Sequence, residues 1–144
     1  MELSEEVTRI VDTILYGDVT EEILAQIRET DNAELLHTIA EDYNYDDGLE
    51  IPEIIVNNPF CELATALTIF CDAGGYDYLD EEGREGLKRS DKDVYGFLDS
   101  LHGRIRNNEF QVGDLTFDPQ LTKVQIYKFK KYADEKDWIF VEGI

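Results

Sequence analysis

The densest group of side chains suited to chemistry lies in residues 42–53, DYNYDDGLEIPE, which carry five carboxylates, an asparagine and two tyrosines. Carboxylates at this density can hold a divalent cation, attract a basic partner or simply solvate a turn. The residue types favour a partner-binding surface or a turn, and they leave the choice between these two open.

The calcium alternative fails at one position of the EF-hand pattern. Asp42, Asp46 and Glu53 occupy the first, fifth and twelfth positions of such a loop. The sixth position requires glycine for a sharp turn, but the chain has Asp47 there and Gly48 one residue late. We therefore expect no metal site and no cofactor, and we interpret these residues as a tight turn.

Tyr43 and Tyr45 alternate with the acids, as aromatic anchors of protein interfaces do. They can equally form the lid of the core, which is the favoured interpretation for one of the two. The residues predicted to bind a partner are Glu41, Asp42, Tyr43, Tyr45, Asp46, Asp47, Glu50 and Glu53.

The distribution of charge points to the kind of partner. Residues 1–83 hold 22 acids and only two basic residues, whereas residues 84–144 hold 11 of each sign, so the net charge of -20 lies entirely in the first part. A field of one sign attracts molecules of the opposite sign, which predicts a basic protein partner. The competing interpretation is that the acids only keep the protein soluble.

Composition also disfavours two classes of partner. Direct nucleic-acid binding needs clustered basic residues, and the one lysine cluster is balanced by the acids that follow it. The cluster and its balancing acids are Lys128, Lys130, Lys131, Asp134, Glu135 and Asp137. No apolar run approaches the roughly 18 to 20 residues that span a bilayer, and acids stand where a signal peptide needs basic residues, so we expect a cytoplasmic protein without membrane contact.

No set of residues predicts an enzyme. His37 and His102 fall on predicted helices with no second metal ligand at a suitable spacing, and His37 is interpreted as a histidine at the edge of the core. Cys61 and Cys71 lie in an apolar stretch and are interpreted as buried, unpaired thiols. Acids are so abundant that paired carboxylates carry no signal without a pocket.

Hydrophobic spacing of three and four residues predicts the elements that position these side chains. Ser4, Thr20, Asp31 and Asp91 are predicted to cap helices, and residues 61–75 read as a buried central helix. We interpret the polar residues 76–91 as a connector.

The C-terminal part is predicted to contain a helix opened by Asp118-Pro119, with Leu121, Val124, Tyr127 and Tyr132 facing inward. Residues 110–117 and the closing WIFVEGI can pair as strands. The fold class is therefore mostly α: a single-domain helical bundle of about six or seven helices over residues 1–144, with a small β hairpin or two-stranded pairing near the C-terminus as an open option.

Residues 35–75 resemble the bacterial family catalogued as "domain of unknown function 4274". The family pattern is a helix that ends in Tyr-Asn-aromatic-Asp-Asp-Gly, followed by Ile-Pro, Pro-x-Cys and Thr-Ala-Leu with an aromatic. The matching positions are Tyr43, Asn44, Tyr45, Asp46, Asp47, Gly48, Ile51, Pro52, Pro59, Cys61, Thr65, Ala66, Leu67 and Phe70. The resemblance implies that the acidic loop is a feature of the domain, and it supplies no catalytic residue.

These observations predict a non-enzymatic acidic binding protein. Its most concrete form is an immunity protein or inhibitor that neutralises a basic toxin, such as a nuclease domain, by placing carboxylates where phosphates would bind. Two alternatives stay open: an uncharacterised domain with a divalent-ion site or an unrecognised enzyme activity, and a scaffold whose acidic half only solubilises it.

Overall fold

The structure is a computed structural model that describes residues 4–144, so the first three residues of the predicted domain lie outside the described part. Its elements are helical, which confirms the mostly α fold class. The α-helices are α1 (Glu5–Tyr16), α2 (Glu21–Glu29), α3 (Ala33–Asp42), α4 (Glu50–Asn57), α5 (Leu63–Phe70), α6 (Tyr76–Leu79), α7 (Glu81–Ser90), α8 (Lys92–Arg106), α9 (Lys123–Tyr132) and α10 (Ile139–Glu142).

Side-chain caps begin most of the longer helices. Ser4, Thr20 and Asp91 accept hydrogen bonds from backbone N–H groups in the first turns of α1, α2 and α8, as predicted. The cap of α3 is Asn32 and not Asp31, because the Asn32 Oδ1 accepts from two N–H groups of the first turn at 3.1 and 3.2 Å. The prediction was wrong there by one residue.

The centre of the molecule is α5, as predicted for this apolar segment. Ala66, Leu67, Ile69 and Phe70 are fully buried in it, and α3, α4 and α8 pack around it. One cluster of buried side chains contains residues from all of these helices and from α1, α2 and α10. The acidic segment that follows α3 is thus held against a helical core.

The predicted connector over residues 76–91 is helical, so that prediction was wrong. A π-helical turn (Cys71–Gly75) follows α5, and Gly74 with φ of 108° redirects the chain into α6 and then α7. The Asp80 side chain caps α7 by accepting from the Gly83 N–H at 2.9 Å. The sequence did not predict α7 because the helix is polar and buries none of its residues.

The optional β pairing near the C-terminus does not form strands within residues 4–144. One isolated parallel bridge joins Glu62 to Gln111, and Phe117 and Ile144 exchange two backbone hydrogen bonds of 3.0 and 2.9 Å. The predicted extended WIFVEGI segment is instead the short helix α10, which buries Phe140. The prediction of an extended segment was wrong, because a helical turn buries this aromatic residue as well as a strand would.

The orientation of α9 also differs from the prediction. The helix begins after Thr122, whose side chain and that of Gln125 form a capping box, and not at Asp118-Pro119. Val124, Tyr127 and Tyr132, predicted to face inward, are 61%, 69% and 84% exposed. The half-buried face is the opposite one, with Ile126 and Phe129. Both faces of this helix are partly apolar, so hydrophobic spacing selected the wrong one.

Candidate functional site: an acidic docking surface

The predicted partner-binding residues lie on one continuous segment, from the end of α3 through a 3₁₀ turn (Tyr45–Asp47) into the first turn of α4. We call its six carboxylate residues the acidic surface, and all six are exposed. They are Glu41, Asp42, Asp46, Asp47, Glu50 and Glu53.

The two tyrosines of the segment hold its shape. Their rings lie edge to face with centroids 5.1 Å apart and pack half-buried against the core. The Tyr43 hydroxyl donates to the Gly48 carbonyl at 2.8 Å, and the Tyr45 hydroxyl donates to the Ala40 carbonyl at 3.3 Å. Burial raises the pKa of both tyrosines, so both stay protonated donors at neutral pH. In this structure they fix the backbone that carries the carboxylates.

The loop geometry is that of a capped turn. The Asn44 Oδ1 accepts from the Asp46 N–H at 3.0 Å, and Gly48 adopts φ of 101°, which favours glycine. The Asn44 side-chain oxygen is therefore already engaged in a hydrogen bond within the loop. Within the part of the chain that the structure describes, no group of three or more His, Cys, Asp or Glu residues is arranged to hold a metal ion.

A groove extends the acidic surface to a helix that the sequence did not connect with it. We call it the acidic groove; it has a volume of about 720 Å³ and lies between the 3₁₀ turn, the start of α4 and the start of α8. Asp91 and Asp93 line it together with Asp46, Glu50 and Glu53. Sequence reasoning missed Asp91 and Asp93 as site residues, because their separation from the loop along the chain gives no sign that α8 begins beside it.

A second groove lies on the other side of the same segment. Its volume is about 540 Å³. Ile14 and Leu24 line it but are buried in the core, and the apolar side chains exposed in it are Tyr16 and Val19, at 84% and 40%. Its rim carries the carboxylates of Glu21, Asp47 and Glu50. We call it the apolar groove; no Lys or Arg is among its lining residues.

The basic residues do not neutralise the acidic surface. Among the described side chains, Arg104, Arg106 and Lys130 form the ion pairs that involve Lys or Arg, and every acidic partner lies in the C-terminal part of the chain. Asp137 shows the effect of such pairing: burial raises its pKa, but His102 and Arg106 outweigh burial and hold it below its usual range. Among the described side chains, no Lys or Arg forms an ion pair with the acidic surface, and the ring nitrogen nearest to it is His37 Nε2, 3.3 Å from a Glu41 carboxylate oxygen.

A polar cavity of about 410 Å³ lies beside Glu41, at the other end of the segment. His37 is buried in its wall, with Nδ1 2.9 Å from the Thr65 Oγ1 and Nε2 3.3 Å from a Glu41 carboxylate oxygen. Asp72 also lines the cavity, and its pKa is raised by burial and then by the nearby Glu41 charge. The sequence placed His37 at the core edge but did not predict that Asp72 joins it.

The thiol in that cavity is poorly suited to nucleophilic chemistry. Burial raises the pKa of Cys71 to about 12, which leaves it protonated at neutral pH. Burial likewise raises the pKa of Cys61 to about 12. Neither cysteine is in a disulfide.

The fold and these surfaces define an α-helical protein that exposes a cluster of six carboxylates over residues 41–53. The model of the family described as Domain of unknown function (DUF4274) matches residues 31–106, which is more than half of the chain, and the chain belongs to this family. The match confirms the resemblance seen over residues 35–75 and includes the whole acidic surface. No curated protein and no solved structure matches the chain.

The family match begins just before α3 and ends with α8, so Asp91 and Asp93 fall inside it while α9 and α10 lie beyond it. Within residues 4–144, no helix combines the length and the apolar character needed to cross a bilayer.

Proposed function

We propose that this domain is a non-enzymatic binding protein that captures a basic protein on its acidic surface. The observation that carries the proposal is that six exposed carboxylates stand on a turn fixed by two tyrosines, without an ion pair to Lys or Arg among the described side chains. Carboxylates that are held in place but not neutralised retain their attraction for a cationic partner.

The two grooves offer a partner two kinds of interaction, electrostatic attraction in one and hydrophobic contact in the other. Asp91 and Asp93 line the acidic groove together with acids of the turn and of α4, so a basic side chain that enters it meets carboxylates from two parts of the chain. The apolar groove beside it exposes Tyr16 and Val19, which can make a hydrophobic contact. Unscreened charge raises association rates by roughly 10 to 1,000-fold at low salt, while buried contacts slow dissociation.

The specific form of the proposal is an immunity protein or inhibitor that acts in the cytoplasm on a basic toxin, such as a nuclease domain. A nuclease cleft lined by Lys and Arg is adapted to a row of phosphates, and fixed carboxylates can occupy the same cationic positions. What supports this form of the proposal is the exposure of six carboxylates on the acidic surface.

The test uses the product of the gene adjacent to the one that encodes this chain as the probe. Association of the purified proteins is measured by surface plasmon resonance at low and high salt, and growth of cells that express the probe is measured with and without this chain. We expect binding that weakens with salt and protection from any toxicity. The variant Asp46→Lys, Asp47→Lys should abolish both.

The matched control is Glu85→Lys, Glu135→Lys, which changes the net charge equally at exposed acids away from the acidic surface. This control should bind and protect almost as well as the wild type. Equal losses in both variants would mean that only net charge matters, and a fully protective Asp46→Lys, Asp47→Lys variant would place the site elsewhere.

The polar cavity supports a second candidate, a small-ligand or catalytic site. The observation that favours it is the buried His37 imidazole, held between Thr65 and Glu41 at the cavity wall beside Asp72. Calorimetric titrations with Zn²⁺ and Ca²⁺, and thermal-shift screening against metabolites, test it. A response that is lost in His37→Gln would favour this candidate over the binding protein.

A further inference from the structure

The outward face of α9 combines apolar and basic side chains in a pattern that a solitary surface helix does not need. At 100° per residue, Tyr127, Lys131, Val124 and Lys128 fall next to one another in that order around the helix. Val124 and Tyr127 are 61% and 69% exposed, and α9 has no buried residue. Exposed apolar side chains flanked by charges are typical of a surface that contacts another molecule.

The charge around α9 favours an acidic partner. Lys130 turns away from this face and pairs with Glu142, and Arg106 contacts Asp134 and Asp137, two of the acids that follow the helix. Lys128 and Lys131 form no ion pair among the described side chains. The outward face of α9 is therefore locally positive, although the whole chain is strongly acidic.

The apolar groove has the complementary arrangement. Tyr16 and Val19 are exposed in it, at 84% and 40%, and Glu21, Asp47 and Glu50 line it with no basic residue among its lining residues. Apolar side chains between lysines on α9 thus match exposed apolar side chains beside carboxylates in the groove. Opposite charges around an apolar contact fix its orientation and favour it over other arrangements.

We propose that the outward face of α9 in one molecule docks in the apolar groove of a second copy. Val124 and Tyr127 contact Tyr16 and Val19, and Lys128 and Lys131 contact Asp47 and Glu50. This contact goes beyond the proposed function: it covers part of the acidic surface, so self-association competes with capture of a basic partner.

Charge repulsion restricts how two copies of the chain can be oriented relative to each other. Acidic surface against acidic surface is repulsive, so copies meet head to tail, with the C-terminal helix of one against the N-terminal half of the other. A helix of this length buries less than the roughly 1,200 Å² of a stable interface, so the association is weak and reversible. Head-to-tail contacts also extend beyond two copies unless the geometry closes a ring.

The experiment measures self-association of the full chain by sedimentation velocity over a concentration series. We expect the wild type to associate and two variants to lose association by about 10-fold or more, as expected when paired charges become like charges. The α9 variant is Lys128→Glu, Lys131→Glu, and the groove variant is Asp47→Lys, Glu50→Lys. A 1:1 mixture of the two variants should associate again, because each reversed face now meets a complementary one.

Two further variants separate this contact from general charge effects. Lys92→Glu, Lys136→Glu changes the net charge as the α9 variant does, but at exposed lysines outside that helix, and should associate like the wild type. Tyr127→Ser keeps the charge and should weaken association. A wild type that stays monomeric at every concentration, or a variant mixture that does not recover association, would overturn the proposal. Neither result depends on a basic partner, so the proposed function is tested separately.

Discussion

Single residues in the acidic segment serve the shape of the backbone as much as its charge. Tyr43 and Tyr45 were predicted to contact a partner or to cover the core; the structure has both packed against the core, with their hydroxyls bonded to carbonyls. Contact with a partner remains a prediction for the exposed edges of the rings. The positions of the carboxylates beside them therefore depend on these two hydrogen bonds, which hold the turn in place.

Removing one of these hydroxyls should therefore loosen the segment. Tyr43→Phe leaves the Gly48 carbonyl without its side-chain donor, and we expect the free energy of unfolding to fall by about 0.5–1.5 kcal/mol. Urea denaturation followed by circular dichroism measures it. Tyr16→Phe is the control, since Tyr16 is 84% exposed and should lose no more than a few tenths. Equal effects at both positions would contradict a structural role for the Tyr43 hydroxyl.

The buried thiols should make stability depend on alkaline pH. Burial raises the pKa of Cys61 and Cys71 to about 12, above the value of about 8.5 expected in the unfolded chain. The unfolded state then loses these protons first, so the free energy of unfolding falls as pH rises through that interval. Below this pH interval the folded and unfolded states both keep the thiol protons, so the contribution of the thiols to the free energy of unfolding is constant.

Thiol reactivity gives a direct measurement. At pH 8 we expect both cysteines to react with a disulfide reagent such as DTNB only at the rate of protein opening, and rapidly in urea. A Cys61→Ala, Cys71→Ala variant should lose the thiol-dependent part of the alkaline slope. Fast labelling of the folded protein would show that a thiolate is accessible and would revive the catalytic alternative for Cys71.

At the scale of elements, α8 connects the acidic groove to the core. Its first turn supplies Asp91 and Asp93 to the groove wall, and Phe97, Leu98, Leu101 and Ile105 form its buried stripe. Gly96 and Gly103 lie inside this helix, where a glycine costs about 1 kcal/mol relative to alanine. The structure shows open space around both, because an added Cβ would meet no atom within 4 Å.

Alanine at these glycines should stabilise α8. Gly96→Ala and Gly103→Ala each remove backbone freedom from the unfolded chain, and we expect a gain of about 0.5–1 kcal/mol each in the free energy of unfolding. Chemical denaturation measures the gain. Gly75→Ala is the opposite control, since its Cβ would collide with the Phe70 ring. A loss of stability at Gly96 or Gly103 would indicate that the glycine is needed for a motion or contact absent from this structure.

Elements defined by local chemistry were predictable, and those defined by distant contacts were not. Caps such as Thr20 and Asp91 lie within a few residues of the N–H groups they bind, so their pattern is visible in the sequence. The orientation of α9 depends on which of two similar faces meets the rest of the protein. The tight turn at Asp46, Asp47 and Gly48 was predictable from its residues, whereas the position of Asp91 and Asp93 beside it required knowledge of how α8 packs against the turn.

For the whole molecule, the determining feature is a net charge of -20 that sits in residues 1–83, while the described Lys and Arg ion pairs lie among later residues. Concentrated like charge opposes the compact state through self-repulsion. Salt reduces this repulsion by shortening the screening length from about 30 Å at 0.01 M to about 3 Å at 1 M. The charge that would capture a partner therefore destabilises the domain when no partner is bound.

Added salt should accordingly stabilise the folded protein. We expect the urea midpoint to rise from 0.01 M to 0.5 M NaCl, roughly the range over which screening becomes shorter than the spacing of surface charges. The variant Glu41→Gln, Asp46→Asn, Asp47→Asn removes charge without changing side-chain size and should be more stable at low salt, with a smaller response to salt. Repeating the series in KCl excludes a specific effect of sodium. A midpoint that stays constant or falls would mean that the acids are neutralised within the fold, and an acidic surface adapted to a basic partner would then lose its physical basis.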